Sequence, residues 1–342
     1  MWCFGMRRKG IVRAALLAAI LLALTGGLLL YAGSLRREYG GISLRISDTP
    51  VTEKKLKRLM AEEDDLAPTA AWSRGKAVTA AAEGFDASAQ ARHVKAYGDI
   101  RQICPMRLLS GGYLVEGDLR GCLITADVAM ALFHSVDANG VRVLVDGKQY
   151  AVRGVVSAYE PMVITRADDG TAYENLEFTA ADVSGGAARV EAFLYRHGLS
   201  SAHVIVQSGM YARILYGLAW LPGAFACLSA AMLCIRACRR RRSAAALWRL
   251  LPAAGALLLL LLLKNTFYWP QIYLPTKCAD FAFWRELLTD WRESWKAMAL
   301  AAPLPKDIQF YQAARVLVCG TFLAVLTEGA LYRRILALTR VS

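Results

Sequence analysis

Two runs of 22 residues without a charged side chain, Ala14 to Leu35 and Ile214 to Ile235, constrain this chain more than anything else in it. A helix needs about 20 apolar residues to cross the hydrocarbon layer of a bilayer, so each run is long enough to span one. Two further stretches read as spans. Leu250 to Leu263 ends in seven consecutive leucines and reaches spanning length if Lys264 and the following Asn265 to Trp269 lie within the outer boundary. Val316 to Tyr332 is uncharged except for Glu328. An apolar content of 56% and a mean hydropathy of +0.32 agree, since soluble proteins hold roughly 45–50% apolar residues.

The net charge of +13 has to be located before it is interpreted. Arg7, Arg8, Lys9 and Arg13 precede the first span. Arg236, Arg239, Arg240, Arg241, Arg242 and Arg249 lie between the second and third, and Arg333, Arg334 and Arg340 follow the fourth. These account for the whole excess, because the remaining 28 Lys and Arg equal the 28 Asp and Glu. With four spans they all fall on one side. The positive-inside rule therefore predicts that both termini are cytoplasmic. Nucleic-acid binding is not indicated, since the Arg239 to Arg242 run abuts a span end and has no interleaved aromatics. A topology signal that also meets anionic membrane lipid explains it.

The expected organisation is an α-helical membrane protein of about four transmembrane helices, with an α+β extracytoplasmic domain between helices 1 and 2. The boundaries are a cytoplasmic start at 1–13, helix 1 at 14–35, the outer domain at 36–208, helix 2 at 212–235 and a basic cytoplasmic loop at 236–249. Helix 3 at 250–269, an outer segment at 270–312, helix 4 at 313–332 and a cytoplasmic end at 333–342 complete it. Residues 1–33 have the basic start and apolar core of a signal peptide. Yet Tyr31-Ala32-Gly33 is a poor cleavage site and the run exceeds the usual ~7–15-residue core, which favours an uncleaved anchor. Of eight cysteines, Cys104, Cys122 and Cys278 face outward, and spacing alone leaves a Cys104 to Cys122 disulfide open.

Within the outer domain, Ile42, Leu44 and Ile46 alternate as in a half-buried strand, and Glu53 to Glu63 places Leu56, Leu59 and Met60 on one helical face behind Thr52. Ala67 to Ala91, rich in Ala, Ser, Thr and Gly with little periodicity, predicts a loop or a weak helix. Gly121 to Thr125 predicts a strand and Ala126 to Phe133 a short helix. Asp146-Gly147 between Val141 to Val145 and Lys148 to Val156 predicts a tight hairpin, whose central residues need positive φ. Ala187 to His197 reads as a helix stopped by Gly198, and His203 to Val206 as a strand. In the 270–312 segment, Phe281, Trp284, Leu288, Trp291, Trp295 and Met298 recur at helical spacing. That stripe suits either the membrane surface or packing on protein.

No P-loop, Gly-x-Ser-x-Gly, His-Glu-x-x-His or paired Cys-x-x-Cys occurs, so neither a cofactor nor a catalytic site is expected and the chain does not read as an enzyme. His93, His134, His197 and His203 lack metal-ligand spacing. Glu62 to Asp65 and Asp168-Asp169-Gly170 read as solvated turns. Lys264 and Glu328 are the two intramembrane charges, costly at mid-span. In antiparallel spans Lys264 falls toward the outer end and Glu328 toward the inner end, too far apart to pair readily within one protomer.

Leu108-Leu109-Ser110-Gly111, then Gly121 to Phe133, then the hairpin ending Tyr150-Ala151-Val152-Arg153-Gly154-Val155 together resemble the MacB-like periplasmic core domain of ABC transporter permeases. The resemblance covers roughly residues 40 to 208 and extends to layout, with one span before the domain and three after. It implies a non-catalytic permease subunit that dimerises, as a homodimer or with a related permease, and works with a separate cytoplasmic ABC ATPase. In that family the loop between spans two and three carries a Glu-Arg-x-x-Glu-Ile-Gly type of phrase; Arg239, Arg240, Arg241 and Arg242 stand there as the candidate ATPase-coupling loop. That departure keeps a second expectation open, a membrane-anchored extracytoplasmic binding or assembly protein that has lost ATPase coupling.

Overall fold

A backbone out of water must satisfy its own N–H and C=O groups, so the apolar runs fold as helices. The computed structural model describes residues 2–47, 50–62, 68–168, 170–179, 186–199, 203–240, 281–300 and 304–340. Among them, three helices are long and apolar enough to cross a membrane: Val12–Glu38, Ser208–Leu233 and Pro305–Leu338. The 250–269 span, Lys264, Arg241 and Arg242 lie outside the described residues.

The helices are α1 (Trp2–Glu38), α2 (Glu53–Glu62), α3 (Ala126–Phe133), α4 (Gly186–Arg196), α5 (Ser208–Ala219), α6 (Leu221–Arg240), α7 (Phe281–Leu300) and α8 (Pro305–Arg340). The strands are β1 (Ile42–Ile46), β2 (Val51–Thr52), β3 (Ala70–Ala82), β4 (Ser88–Gly98), β5 (Arg107–Gly111), β6 (Gly121–Thr125), β7 (Arg142–Val145), β8 (Lys148–Ser157), β9 (Met162–Arg166), β10 (Ala172–Tyr173), β11 (Asn175–Phe178) and β12 (His203–Val206). The described residues fall into two units, a helical one drawn from Met1–Glu38, Met210–Trp269 and Phe310–Ser342, and an α+β one drawn from Tyr39–Gly209 and Pro270–Gln309.

In the helical unit the second span is interrupted at Trp220, between α5 and α6. Pro222 explains the break, because it has no N–H to continue the ladder. Leu28 of α1 meets Gly320 of α8, where an added Cβ would lie 2.6 Å from the leucine Cδ2. Arg36 stands over the Tyr216 ring at 5.5 Å, and Arg236 donates to the Tyr332 hydroxyl at 2.6 Å. Leu22, Leu30 and Phe322 are exposed, as expected of faces that meet lipid.

The α+β unit is built on a ten-stranded sheet in the order β12-β1-β11-β3-β4-β9-β6-β8-β5, with β7 bridging β3 and β8. Through that bridge β3, β4, β9, β6, β8 and β7 close into a ring. Among the described residues only β4·β9 and β6·β8 are parallel. Ala80, Ala82, Ala91, Ile124, Val143, Val152 and Val163 pack with Val128, Ala129 and Leu132 of α3. On the β1–β11 side, Ile42, Leu44, Ile46, Leu176 and Phe178 pack against Leu56 and Leu59 of α2 and Val190, Phe193 and Leu194 of α4.

The loop or weak helix expected over 67–91 is instead most of the two longest strands, joined by a turn at Glu83–Ala87. Alanine has low strand propensity, but small side chains are what the strands need where α3 lies across them. The Asp146-Gly147 hairpin forms as expected, with both residues at positive φ (50° and 75°). Cys104 and Cys122 are free thiols buried in different core clusters, so the disulfide left open does not form here.

Candidate functional site

Strand β1 is the point on which three chain segments converge. The chain leaves α1 at Glu38 and enters β1 through Tyr39-Gly40-Gly41. β12, which leads into α5, pairs antiparallel with β1, Ser43 opposite Val206. The two are latched at their base, since the Gly209 N–H and the Ser208 hydroxyl both donate to the Gly41 carbonyl, at 3.0 and 3.1 Å. The third segment is the start of α8.

Strand alternation makes the site. Ile42, Leu44 and Ile46 point to the helix-covered face, so Ser43 and Arg45 point to the other, beside Glu177 of β11 and Trp72 of β3. The sequence gives that second face the look of a solvated one. It is covered, and Ser43, Arg45 and Glu177 are each at most 9% exposed. The cover is Leu304 to Asp307. Leu304 packs with Trp72, Val94, Ala96, Ile100 and Ile103, and Pro305 begins α8 where its missing N–H costs nothing. The Asp307 carboxylate reaches back to the Leu304 N–H at 2.9 Å, a capping contact that also favours the helix dipole.

Lys306 and Asp307 then meet opposite charges on neighbouring strands. Lys306 Nζ donates to Glu177 Oε2 at 2.8 Å, to the Gln102 carbonyl at 3.0 Å and to Ser43 Oγ at 3.3 Å, which uses all three ammonium hydrogens. Glu177 also accepts from Ser43 Oγ at 2.6 Å and, through Oε1, from Trp72 Nε1 at 3.1 Å. Asp307 pairs with Arg45 Nη2. Arg45 Nε and Nη1 are buried without a hydrogen-bond partner among the described residues, a cost the pairing must offset. Tyr39, just past α1, donates to Gln309 Oε1 at 3.4 Å. Such an arrangement makes and breaks no covalent bond; it holds three segments in register.

The sequence-derived site residues are elsewhere. Arg239 and Arg240 close α6, and Glu328 lies in α8, 5% exposed, on the side that also buries Leu317, Thr321 and Ala324. Glu328 Oε2 has no hydrogen-bond partner among the described residues. His93 is buried in the ring wall, with Nε2 2.9 Å from Thr165 Oγ1 and Nδ1 3.3 Å from Asp146 Oδ2. Burial lowers its pKa below the ordinary value, and the hydrogen bond and charge of Asp146 only partly offset this. Asp168 takes Lys148 at 2.9 Å and Lys95 at 3.4 Å, and its pKa is lowered chiefly by the Lys148 hydrogen bond. Arg45, Glu177, Lys306 and Asp307 escaped sequence reasoning. Only the Pro305 and Asp307 helix-start spacing could have signalled that α8 begins so early.

The phrases that carry the family resemblance do meet. Gly111 of β5 pairs with Gly154 of β8, and an added Cβ on Gly111 would lie 2.3 Å from the Arg153 carbonyl oxygen. Fold and junction together define a class, an α+β domain continuous in sequence with helices long and apolar enough to cross a membrane. No family model and no curated protein matches the chain. Among solved structures, it is similar to the extracellular domain of the noncanonic ABC-type transporter YknZ from Gram-positive bacteria, at 16% identity and a TM-score of 0.40, over 48% of this chain and 99% of that one. The periplasmic region of MacB from Actinobacillus actinomycetemcomitans is similar at 12% identity and 0.42, over 51% and 91%. A domain of a putative permease protein from Porphyromonas gingivalis gives 10% and 0.33, over 49% and 87%. Likenesses of this grade carry no function across to the chain.

Proposed function

We propose that this chain is a non-catalytic, permease-type membrane subunit of an ABC transporter, which passes movement of its helices to the outer domain under the drive of a separate cytoplasmic ATPase. The observation that carries the reading is the convergence on β1. Segments continuous with α1, α5 and α8 are tied to one strand by chain continuity, a ladder, a carbonyl latch and the buried Arg45–Asp307 ion pair, with a second buried pair from Lys306 to Glu177 of the adjoining β11. A domain that only needed tethering would be held by one flexible linker. Under this reading, displacement of any of the three helices would be delivered to the same strand, and from it along the sheet.

The alternative is a membrane-anchored binding or assembly protein that has lost ATPase coupling, and the basic run from Arg239 to Arg242 favours it, because four cations replace a mixed acidic and basic phrase. Purification of the tagged chain from native membranes in mild detergent separates the two. Under the permease reading an ABC ATPase is recovered in stoichiometric amount and is lost when Arg239, Arg240, Arg241 and Arg242 are changed to Ser. Repeated recovery of the intact chain without an ATPase sinks that reading and leaves the anchored binding protein.

A further inference from the structure

We propose that α7 is a membrane-surface helix whose aromatic and cationic face rests on the anionic headgroups of the outer leaflet. The inference needs the chain to be a membrane protein but is independent of any ATPase. At 100° per residue, Phe281, Trp284, Arg285, Leu288, Arg292 and Lys296 fall within a sector about 120° wide. Glu286 lies on the opposite side, and the acidic positions 290 and 293 share that side. The three cations thus share a sector with Phe281, Trp284 and Leu288, away from the acids, while Phe283 falls on the acidic side.

Burial separates two uses of this face. If it packed on the described residues of this chain, its apolar members would be covered. Instead Phe281 is 83% and Leu288 62% exposed, Trp284 is half-buried, and Arg285, Arg292 and Lys296 are exposed with them. Water would not favour an exposed Phe and Leu beside three cations. The membrane interface favours both, with rings and aliphatic stems at the acyl boundary and cations among the phosphates. α7 packs against β12, the strand whose chain runs directly on into α5.

The test uses the full-length chain in vesicles of phosphatidylcholine with or without an equal part of phosphatidylglycerol. Cys3, Cys227, Cys234, Cys238, Cys278 and Cys319 are replaced by Ser, and a bimane fluorophore is placed through Leu288→Cys or, on the opposite side, Glu286→Cys. Nitroxide lipids labelled near the headgroup are expected to quench the 288 probe several-fold more than the 286 probe in the anionic vesicles. That excess should largely disappear in phosphatidylcholine alone and when Arg285, Arg292 and Lys296 are changed to Gln. Equal quenching of the two probes overturns the proposal. So does a 288 probe shielded from aqueous iodide but unquenched by lipid, which would mean that protein covers the face, and so does quenching indifferent to anionic lipid. Each variant is first required to elute as a monodisperse particle, so that misfolding is not read as detachment.

Discussion

Lys306 and Glu177 are 8% and 2% exposed and 2.8 Å apart, and for such a pair removal of one partner matters more than removal of both. Lys306→Met leaves the Glu177 carboxylate buried without its cation, and about 3–5 kcal/mol of stability is expected to be lost. Replacing both, as Lys306→Met with Glu177→Leu, is expected to recover part of that, because no charge is then stranded although Trp72 Nε1 and the Gln102 carbonyl lose their partners. Urea unfolding of the two variants in detergent checks this; a double variant as unstable as the single one would refute the pairing. His93 gives a pH dependence of definite sign. Its folded-state pKa is lowered from 6.5, so between the two values the unfolded chain binds more protons and stability rises with pH. The contribution is complete above about 6.5 and is lost as pH falls through that value toward the folded-state one. Burial sets the shift, Asp146 and Asp168 oppose it and Lys95 adds to it, while Thr165 and Tyr150 also adjoin the ring. Unfolding midpoints measured from pH 8 to pH 5.5 should therefore fall more steeply in the native chain than in His93→Gln; parallel curves would contradict it.

Among elements, the β5–β8 crossing shows how adjacent glycines do different work. Gly111 has φ +76° and no room for a Cβ, whereas Gly112 has nothing within 4 Å of its hypothetical Cβ. Gly111→Ala is expected to cost at least ~1–3 kcal/mol from backbone strain alone, and Gly112→Ala to stay within ~0.5 kcal/mol. Thermal unfolding of both should separate them. Elements with strong local signals were legible. ISLRI alternates, GCLIT precedes a helix of the right period, Asp-Gly prescribes a primed turn, and Gly198 ends α4 at φ +62°. The β3–β4 pair was not, because an alanine-rich strand owes its conformation to the helix above it and to partners far along the chain.

At the scale of the whole chain, the distribution of charge predicts a topology that chemistry can read. In a chain with Cys3, Cys227, Cys234, Cys238, Cys278 and Cys319 replaced by Ser, a membrane-impermeant maleimide applied to intact cells should label Phe85→Cys, which sits exposed in the β3–β4 turn, while Arg240→Cys should label only after permeabilisation. Cys104 and Cys122, whose thiols burial pushes up to about 12, should stay unlabelled in the folded protein. Labelling of Arg240→Cys from outside would invert the orientation.

The sequence by itself determined three helices long and apolar enough to cross a membrane and the α+β character of the domain between the first two, and it predicts the side on which the basic residues gather. These follow from run length, charge position and local periodicity, and none needs a distant partner. Only the tertiary structure decided that Ser43, Arg45 and Glu177 are interior residues and that Lys306 and Asp307 close over them. Alternation tells a strand which residues share a face; whether water or another segment covers that face depends on chain that arrives 129 to 263 residues later.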